Sequence, residues 1–415
     1  AWTGRGPNSL YQDQGIGQFV EVTDAVGLTD EADSFCAAWA DYDRDGWLDL
    51  YVANGVSSRG WPNALYRNQG DGTFANEALR AGVGNQLQHS IGVGWGDVDA
   101  DGWDDLYVVN YRGPNALYRN EGDGTFVDRT ETAGVAHPFL GFVTFLFDYD
   151  NDGDLDIFVA SWTDNGEELI ESEVTGEPAF PGYHPALYRN EGDGTFSEQS
   201  GAAGLRRTYG SMAATYGDVD NDGYLDLYLA NGGPAMDRFE PDRLLLNNQD
   251  GTFTDITFEA GTGNIGKGHG PTMADVDGDG DLDIYAPQGG MGGNPGDEQP
   301  NSLYRNAGSG HHWLTVRALG AGPASGRERS TNLDGIGARI TVAIGTRRLT
   351  RQVSGGDGFG SMNSLPVEFG LADASRVDWV EVRWPSGLVD RVEGVPADRV
   401  LEIRESGRSR TYREG

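Results

Sequence analysis

Five copies of one nine-residue phrase govern what this chain can fold into. Asp41-Tyr-Asp-Arg-Asp-Gly-Trp-Leu-Asp49 returns as Asp97 to Asp105, Asp148 to Asp156, Asp218 to Asp226 and Asp275 to Asp283, always as D-x-D-x-D-G-x-x-D. A second phrase, NALYRNQGDGTF from Asn63 to Phe74, alternates with it, with variants beginning at Leu10, Leu117, Leu187, Leu244 and Leu303. One structural unit of about 55 residues therefore carries one copy of each phrase.

Within a unit the apolar residues alternate or come in short runs bounded by Gly, Asn and Asp, which is the period of strands. The first full unit predicts four strands, near Phe35 to Ala40, Leu48 to Ala53, Ala64 to Asn68 and Thr73 to Leu79. A repeated four-stranded antiparallel sheet buries both faces only against its neighbours, and radial closure removes the exposed ends. The expected fold class is all-β, a β-propeller of six to seven four-stranded blades. The N-terminus supplies only the last two strands of a unit, Leu10 to Asp24. Strands from the C-terminal region are therefore expected either to complete the first blade or to build an extra one. Candidates there are Trp313 to Ala318, Ala338 to Ile344, Arg347 to Val353, Val377 to Trp384 and Val400 to Arg404.

These phrases resemble VCBS/FG-GAP repeats, the integrin-type propeller blades, over residues 1 to about 310. Residues 311–415 resemble an ASPIC/UnbV domain, through HHWLTVRALG (311–320), GIGARITV (335–342), SGGDGFGSMNSLPVEFGL (354–371) and VDWVEVRWPSG (377–387). Together they are similar to the bacterial branch of the cartilage acidic protein family. The resemblance implies an exported, calcium-binding module.

The Asp phrase itself points to calcium. Calcium takes six to eight hard oxygen ligands, and Asp at positions 1, 3 and 5, a carbonyl at 7 and a carboxylate at 9 can wrap one ion, with the glycine at 6 permitting the sharp turn. The expected carboxylate sets are Asp41, Asp43, Asp45 and Asp49; Asp97, Asp99, Asp101 and Asp105; Asp148, Asp150, Asp152 and Asp156; Asp218, Asp220, Asp222 and Asp226; and Asp275, Asp277, Asp279 and Asp283. The carbonyls would be those of Trp47, Trp103, Asp154, Tyr224 and Asp281. An EF-hand would need a Glu at position 12 and flanking helices, whereas here position 9 closes the loop and a strand follows. Twenty Asp side chains in five short loops repel one another without a cation. About five ions are expected, acting as staples in a calcium-stapled propeller.

Composition narrows the partners. A formal net charge of -35 argues against nucleic acid. The longest uncharged apolar stretch, near Pro138 to Phe147, is far short of a membrane span. A start at Ala1 without a basic or apolar leader region fits a processed terminus and a trimmed one equally. The expected location is secreted, periplasmic or cell-surface. Cys36 is the only cysteine, so no intrachain disulfide forms, and a buried inert thiol is expected.

In a four-stranded meander the Asp loops and GDGTF turns share one face, and the blade-to-blade connections share the other. Loop length varies most on that second face, where Trp162 to His184 forms an insertion carrying Glu167, Glu168, Glu171, Glu173 and Glu177. Variable loops on a rigid frame are where binding usually resides. Residues shortly before each first calcium Asp should ring the channel mouth: Asp33, His89, His137, Arg206, Arg207, Tyr209, Lys267 and His269. His89, His137, Tyr209, Lys267 and His269 are candidate acid-base groups, and Asp33, Arg206 and Arg207 candidate ligand contacts. Two functions follow. One is a calcium-binding adhesion module holding a protein or glycan on this face; the other is a calcium-dependent cyclase or lyase acting on a small natural product at the mouth. His311 and His312 are expected at the domain joint, Trp39, Trp95, Tyr51, Tyr107 and Tyr228 in blade packing, and Asp357 to Asn363 in a tight Gly-rich turn.

Overall fold

The computed structural model describes residues 8–29, 32–55, 61–85, 88–163, 165–233, 240–289, 299–323, 329–356 and 360–412. Each repeat folds as its period requires. Blade 1 is a meander of Ser34–Ala40, Asp49–Asn54, Ala64–Asn68 and Phe74–Asn76. Blade 2 (Ser90–Gly96, Asp105–Asn110, Ala116–Asn120, Phe126–Asp128) and blade 3 (Gly141–Phe147, Asp156–Ser161, Ala186–Asn190, Phe196–Glu198) repeat it. Blade 4 does so too (Ser211–Gly217, Asp226–Asn231, Arg243–Asn247, Phe253–Asp255), while blade 5 has three described strands, Thr272–Ala274, Asp283–Ala286 and Ser302–Tyr304. Ahead of them lies a two-stranded hairpin, Tyr11–Asp13 and Phe19–Glu21.

First strands of consecutive blades pack side by side, and the apolar cores lie between blades. Tyr51, Leu65 and Ala38 of blade 1 meet Val93, Trp95 and Phe126 of blade 2; Phe145 and Phe158 of blade 3 meet Leu227 and Leu245 of blade 4. In blades 2 to 5 the asparagine at or just after the end of the third strand joins neighbours through hydrogen bonds. Asn120 Nδ2 donates to the Tyr42 carbonyl of the preceding blade at 3.0 Å, and Asn190, Asn247 and Asn306 do the same to Val98, Tyr149 and Val219 at 2.7, 2.9 and 2.7 Å. Asn190→Ala would leave the buried Val98 and Leu155 carbonyls short of a donor. Its expected cost is about 2–4 kcal/mol, read as a lower denaturant midpoint with an unchanged slope.

The C-terminal strands complete no blade. Among the described residues they pair only with one another, in a three-stranded sheet ordered Val367–Ala372, His312–Leu319, Arg399–Arg404 and a five-stranded sheet ordered Arg347–Gln352, Arg339–Ile344, Arg376–Arg383, Val389–Pro396, Ser409–Thr411. Their apolar faces form a separate core around Val316, Ile340, Val380, Phe369 and Trp384. The insertion, expected as a loop, holds a helix, Gly166–Thr175, started by Asn165 Oδ1 accepting from the Glu167 N–H and ended by Gly176 in the left-handed region. No described helix is long and apolar enough to cross a membrane.

Candidate metal centres

The five Asp loops share one geometry because they share one backbone path. Position 4 takes a left-handed conformation in every copy: Arg44, Ala100, Asn151, Asn221 and Gly278 have φ of 56°, 56°, 58°, 57° and 80°. That turn brings the position-6 N–H onto the position-1 carboxylate, as in Gly102 to Asp97 at 2.9 Å and Gly223 to Asp218 at 2.8 Å. Residue 7 donates its N–H to the position-5 carboxylate, from Trp47, Trp103, Asp154, Tyr224 and Asp281, at 2.9, 2.9, 3.0, 2.8 and 3.1 Å. The position-9 Oδ1 of Asp49, Asp105, Asp156, Asp226 and Asp283 accepts from the N–H of the third-strand asparagine, at 2.8 Å each time.

Carboxylate oxygens converge in every loop. Asp41, Asp43 and Asp49 offer oxygens within 4.8 Å of one another, as do Asp97, Asp99 and Asp101; Asp148, Asp150 and Asp156; Asp218, Asp220 and Asp226; and Asp275, Asp277 and Asp279. Asp49 Oδ2, Asp97 Oδ1 and Asp148 Oδ1 are buried and have no hydrogen-bond partner among the described residues. Burial first, and neighbouring carboxylates second, push Asp41 up to about 8. Burial is also the main cause that raises Asp97, Asp148 and Asp218 to about 7, Asp156 to about 9, and Asp49, Asp105 and Asp226 well above the carboxylate range. Buried, orphaned, all-oxygen donor sets suit a hard divalent cation.

The arginine of the LYRN phrase had no assigned role in the sequence, and it forks the outer oxygens. Arg119 Nε and Nη2 reach Asp99 and Asp101 at 2.6 and 3.0 Å, Arg189 reaches Asp150 and Asp152 at 2.8 and 3.1 Å, and Arg67 pairs with Asp43 and Asp45. In blade 4 that position is Leu246, and Gln249 Nε2 holds Asp222 instead, at 2.7 Å. The fork orients positions 3 and 5 from outside, leaving their inner oxygens to the loop.

The C-terminal domain lies over these loops. Ser330 N–H donates to the Arg44 carbonyl at 2.8 Å, and Gln352 Nε2 to Asp104 at 2.8 Å. Arg351 donates to Asn151 Oδ1 and the Gly223 carbonyl at 3.1 and 3.0 Å, Gly370 N–H to Asp218 at 3.0 Å, and His311 Nδ1 lies 2.8 Å from the Asp220 carbonyl. A Cβ on Gly46 would come within 2.7 Å of Pro323 Cα, so loop and domain touch backbone to backbone. Asn363 enters further, accepting from Thr215 Oγ1 and Met273 N–H at 2.7 and 3.0 Å and donating to the Tyr216 carbonyl at 2.9 Å. Of the expected Gly-rich turn, Asp357, Gly358 and Phe359 lie outside the described residues. The cavity at this joint measures about 60 Å³, room for a few waters and not for an organic ligand. Arg351→Met removes a buried cation that faces Asp148 and Asp218 and leaves the Gly223 carbonyl to Asn151 Nδ2 alone, with an expected loss of about 3 kcal/mol and faster amide exchange at Arg347–Gln352.

On the opposite face only some of the expected mouth residues share one register. The N–H after each second strand marks equivalent positions, from Gly55 to the Asp33 carbonyl, Tyr111 to His89, Trp162 to Leu140, Gly232 to Gly210 and Gly289 to Lys267, at 3.1, 2.8, 2.9, 2.9 and 2.9 Å. Asp33, His89 and Lys267 are thus in register, with Leu140 and Gly210 between them. His137 is exposed and lies before that register; its carbonyl accepts from Tyr188 Oη at 2.9 Å. Tyr209 is buried in the core between blades 3 and 4, which pushes its hydroxyl up to about 12. Arg206 is exposed, and Arg207 lies 3.7 Å from Glu173 of the insertion helix. His269 Nε2 lies 2.8 Å from the Gly289 carbonyl, and burial lowers its pKa. Cys36 is buried, as expected.

Comparison with known proteins agrees with the repeats. The FG-GAP-like repeat model matches residues 1–52, 97–159, 148–229 and 231–286. The chain belongs to the FG-GAP-like repeat family. An ASPIC and UnbV domain matches residues 328–410, on the two C-terminal sheets. Among relatives of this FG-GAP protein, human cartilage acidic protein 1 is 28% identical over 403 residues, covering 92% of this chain and 55% of its own. The mouse protein of the same name is 28% identical over 386 residues, covering 88% and 54%. The chain thus spans about half the length of these curated relatives. The Vibrio cholerae biofilm matrix protein Bap1 is a structural neighbour with a TM-score of 0.39 and 11% identity, over 87% of this chain and 58% of its own.

Proposed function

We propose that each Asp loop holds one calcium ion, about five in all, and that the sheets are blades of a calcium-stapled propeller of six to seven blades. The protein then serves as a secreted, periplasmic or cell-surface module that binds a protein, glycan or small molecule on the face opposite the Asp loops. One observation carries this reading: five carboxylate clusters, three of them with a buried oxygen that has no hydrogen-bond partner among the described residues. The ions would be structural, since loop backbone, the arginine fork and the C-terminal domain surround them.

Coverage of the Asp-loop face by the C-terminal domain favours the opposite face for a ligand. There the insertion helix is fixed by Glu173 to Arg243 at 2.9 Å and by Thr208 N–H to Ser172 Oγ at 2.8 Å. It exposes Ile170 and Val174 beside Glu167 and Glu171. The enzymatic alternative draws less support, because only three of the eight mouth residues share a register. Calorimetric titration of metal-stripped protein should return close to five calcium sites. Glycan and protein arrays probed with and without calcium should then yield a partner whose binding falls at least tenfold in Ile170→Ser/Val174→Ser while the melting temperature holds. Absence of calcium binding, or a partner indifferent to both calcium and this helix, would overturn the reading.

A further inference from the structure

Among the described residues the blade series is bare at both ends, and the repeats say what would complete it. The N-terminal hairpin is strands three and four of a blade. Leu10 N–H donates to Thr23 Oγ1 at 2.7 Å, as Leu117 does to Thr130 and Leu244 to Thr257. Asn8 Nδ2 donates to Ser34 Oγ at 2.8 Å, as Asn63 does to Ser90 Oγ at 2.9 Å. In blades 1 and 2 the same asparagine also accepts, through Oδ1, the N–H that ends the second strand: Asn54 to Asn63 at 2.8 Å and Asn110 to Asn115 at 3.0 Å.

Exposure measures the gap. Tyr11 is 59% exposed, whereas its equivalents Tyr66, Tyr118 and Tyr188 are 4%, 6% and 2% exposed. At the other end Leu303 is 52% exposed, against 0% to 4% for Leu65, Leu117, Leu187 and Leu244. Between the hairpin and blade 1 lies a groove of about 370 Å³ whose walls include Leu10, Phe35, Trp39, Leu50, Val52 and Tyr66. At the next junction the corresponding space is filled by the first two strands of blade 1, through Ala38, Tyr51 and Ala53. An apolar slot beside an edge strand is a site for strand addition.

We propose that this slot receives the first two strands of one further repeat, with their own D-x-D-x-D-G-x-x-D loop, carried on polypeptide running into residue 1. Every complete blade passes from its second strand to its third within one chain, so this donor continues the established blade junction with the same connection. The added pair would hydrogen-bond to the edge of Tyr11–Asp13, cover Tyr11, and give blade 5 a neighbour for Leu303. The inference rests on reading the sheets as blades and is independent of the ligand face.

The test fuses a copy of residues 88–112 ahead of Ala1 and compares hydrogen exchange with a scrambled fusion of the same composition. Amides of Tyr11–Asp13 should slow at least tenfold in the true copy only, with loss of apolar-dye binding. Titrating the unfused chain with the synthetic peptide of residues 88–112 asks the same question without requiring the fusion to fold, and saturable protection of the same amides is expected. Equal exchange in both fusions together with no protection by peptide would overturn the proposal. So would an unfused chain that sediments as a dimer with these amides already protected, since a second copy would then fill the slot. Calcium titration of the same samples separates this outcome from failure of the metal reading: protected amides without calcium binding would count against the ions alone.

Discussion

Excess EGTA at neutral pH should lower the melting temperature on the order of 20 °C. The size follows from mass action. An ion that binds only the folded form at a hundred times its dissociation constant stabilises by about 2.7 kcal/mol, so five independent sites would contribute on the order of 13 kcal/mol. The loops make this more than a local effect. The third-strand asparagine links the position-9 carboxylate to the neighbouring blade, since Asn190 N–H holds Asp156 while its Nδ2 holds Val98. The C-terminal domain is tied to the same loops through Gly370 N–H on Asp218 and Arg351 on Gly223. Chelation should therefore loosen blade junctions and domain joint together, giving one broad early transition by calorimetry and faster exchange at Gly370. Superimposable melting curves with and without EGTA would end the staple reading. Recovery by calcium and not by magnesium would distinguish an oxygen cage from nonspecific charge screening.

The Asp loops and their strands were legible because everything that builds them lies close in sequence. Nine consecutive residues hold all the carboxylates of a cluster, and Ala64–Asn68 forms a strand at the expected bounds. The fourth strand was expected to run to Leu79 but stops at Asn76, whose Oδ1 accepts from the Ala78 N–H at 3.1 Å and starts a one-turn helix ended by Gly82. The helix is a single turn, too short to leave a helical period in the sequence, and it buries Ala78 and Ala81. Val389–Pro396 was not among the expected strands, and it tolerates Gly394 at a positive φ of 67°.

Less local features left weaker marks. The C-terminal domain reaches the Asp loops in part through main-chain groups such as Ser330 N–H, Gly370 N–H and Ala372 N–H, and backbone donors carry no signature in residue type. The arginine fork did carry one, since arginine recurs in LYRN at 67, 119, 189 and 305, but a half-exposed strand arginine reads equally well as a solvated side chain. The register expected to ring a mouth was legible only in part because polar residue type, and not a constant spacing from the Asp loop, picked out its members. Eight residues before the first Asp of each loop stand Asp33, His89, Leu140, Gly210 and Lys267, whereas the expected His137 and the buried Tyr209 fall at other offsets.

Metal-stripped protein should grow more stable as it is acidified from pH 8 to pH 5, opposite to the calcium-loaded form. In the stripped protein burial holds Asp41 at about 8, Asp97, Asp148 and Asp218 at about 7 and Asp156 at about 9, against an ordinary value of 3.8. Between those limits the folded chain binds more protons than the unfolded chain, so stability falls as pH rises. A carboxyl moved from 3.8 to about 7 costs the fold about 4 kcal/mol once both states are ionised, and none of that at a pH below both values. Several raised carboxyls share each of the first four loops, so the effect on melting should be among the largest this protein shows. Bound calcium reverses the slope, because it holds the same carboxylates ionised and protons then compete with the ion. Melting temperatures taken across pH 5 to 8 in metal-free buffer and in excess calcium should therefore converge toward the acid end and diverge toward pH 8. A metal-free curve that is flat, or that rises with pH, would show that these carboxyls are hydrated and that the loops do not present a buried, cation-demanding cage.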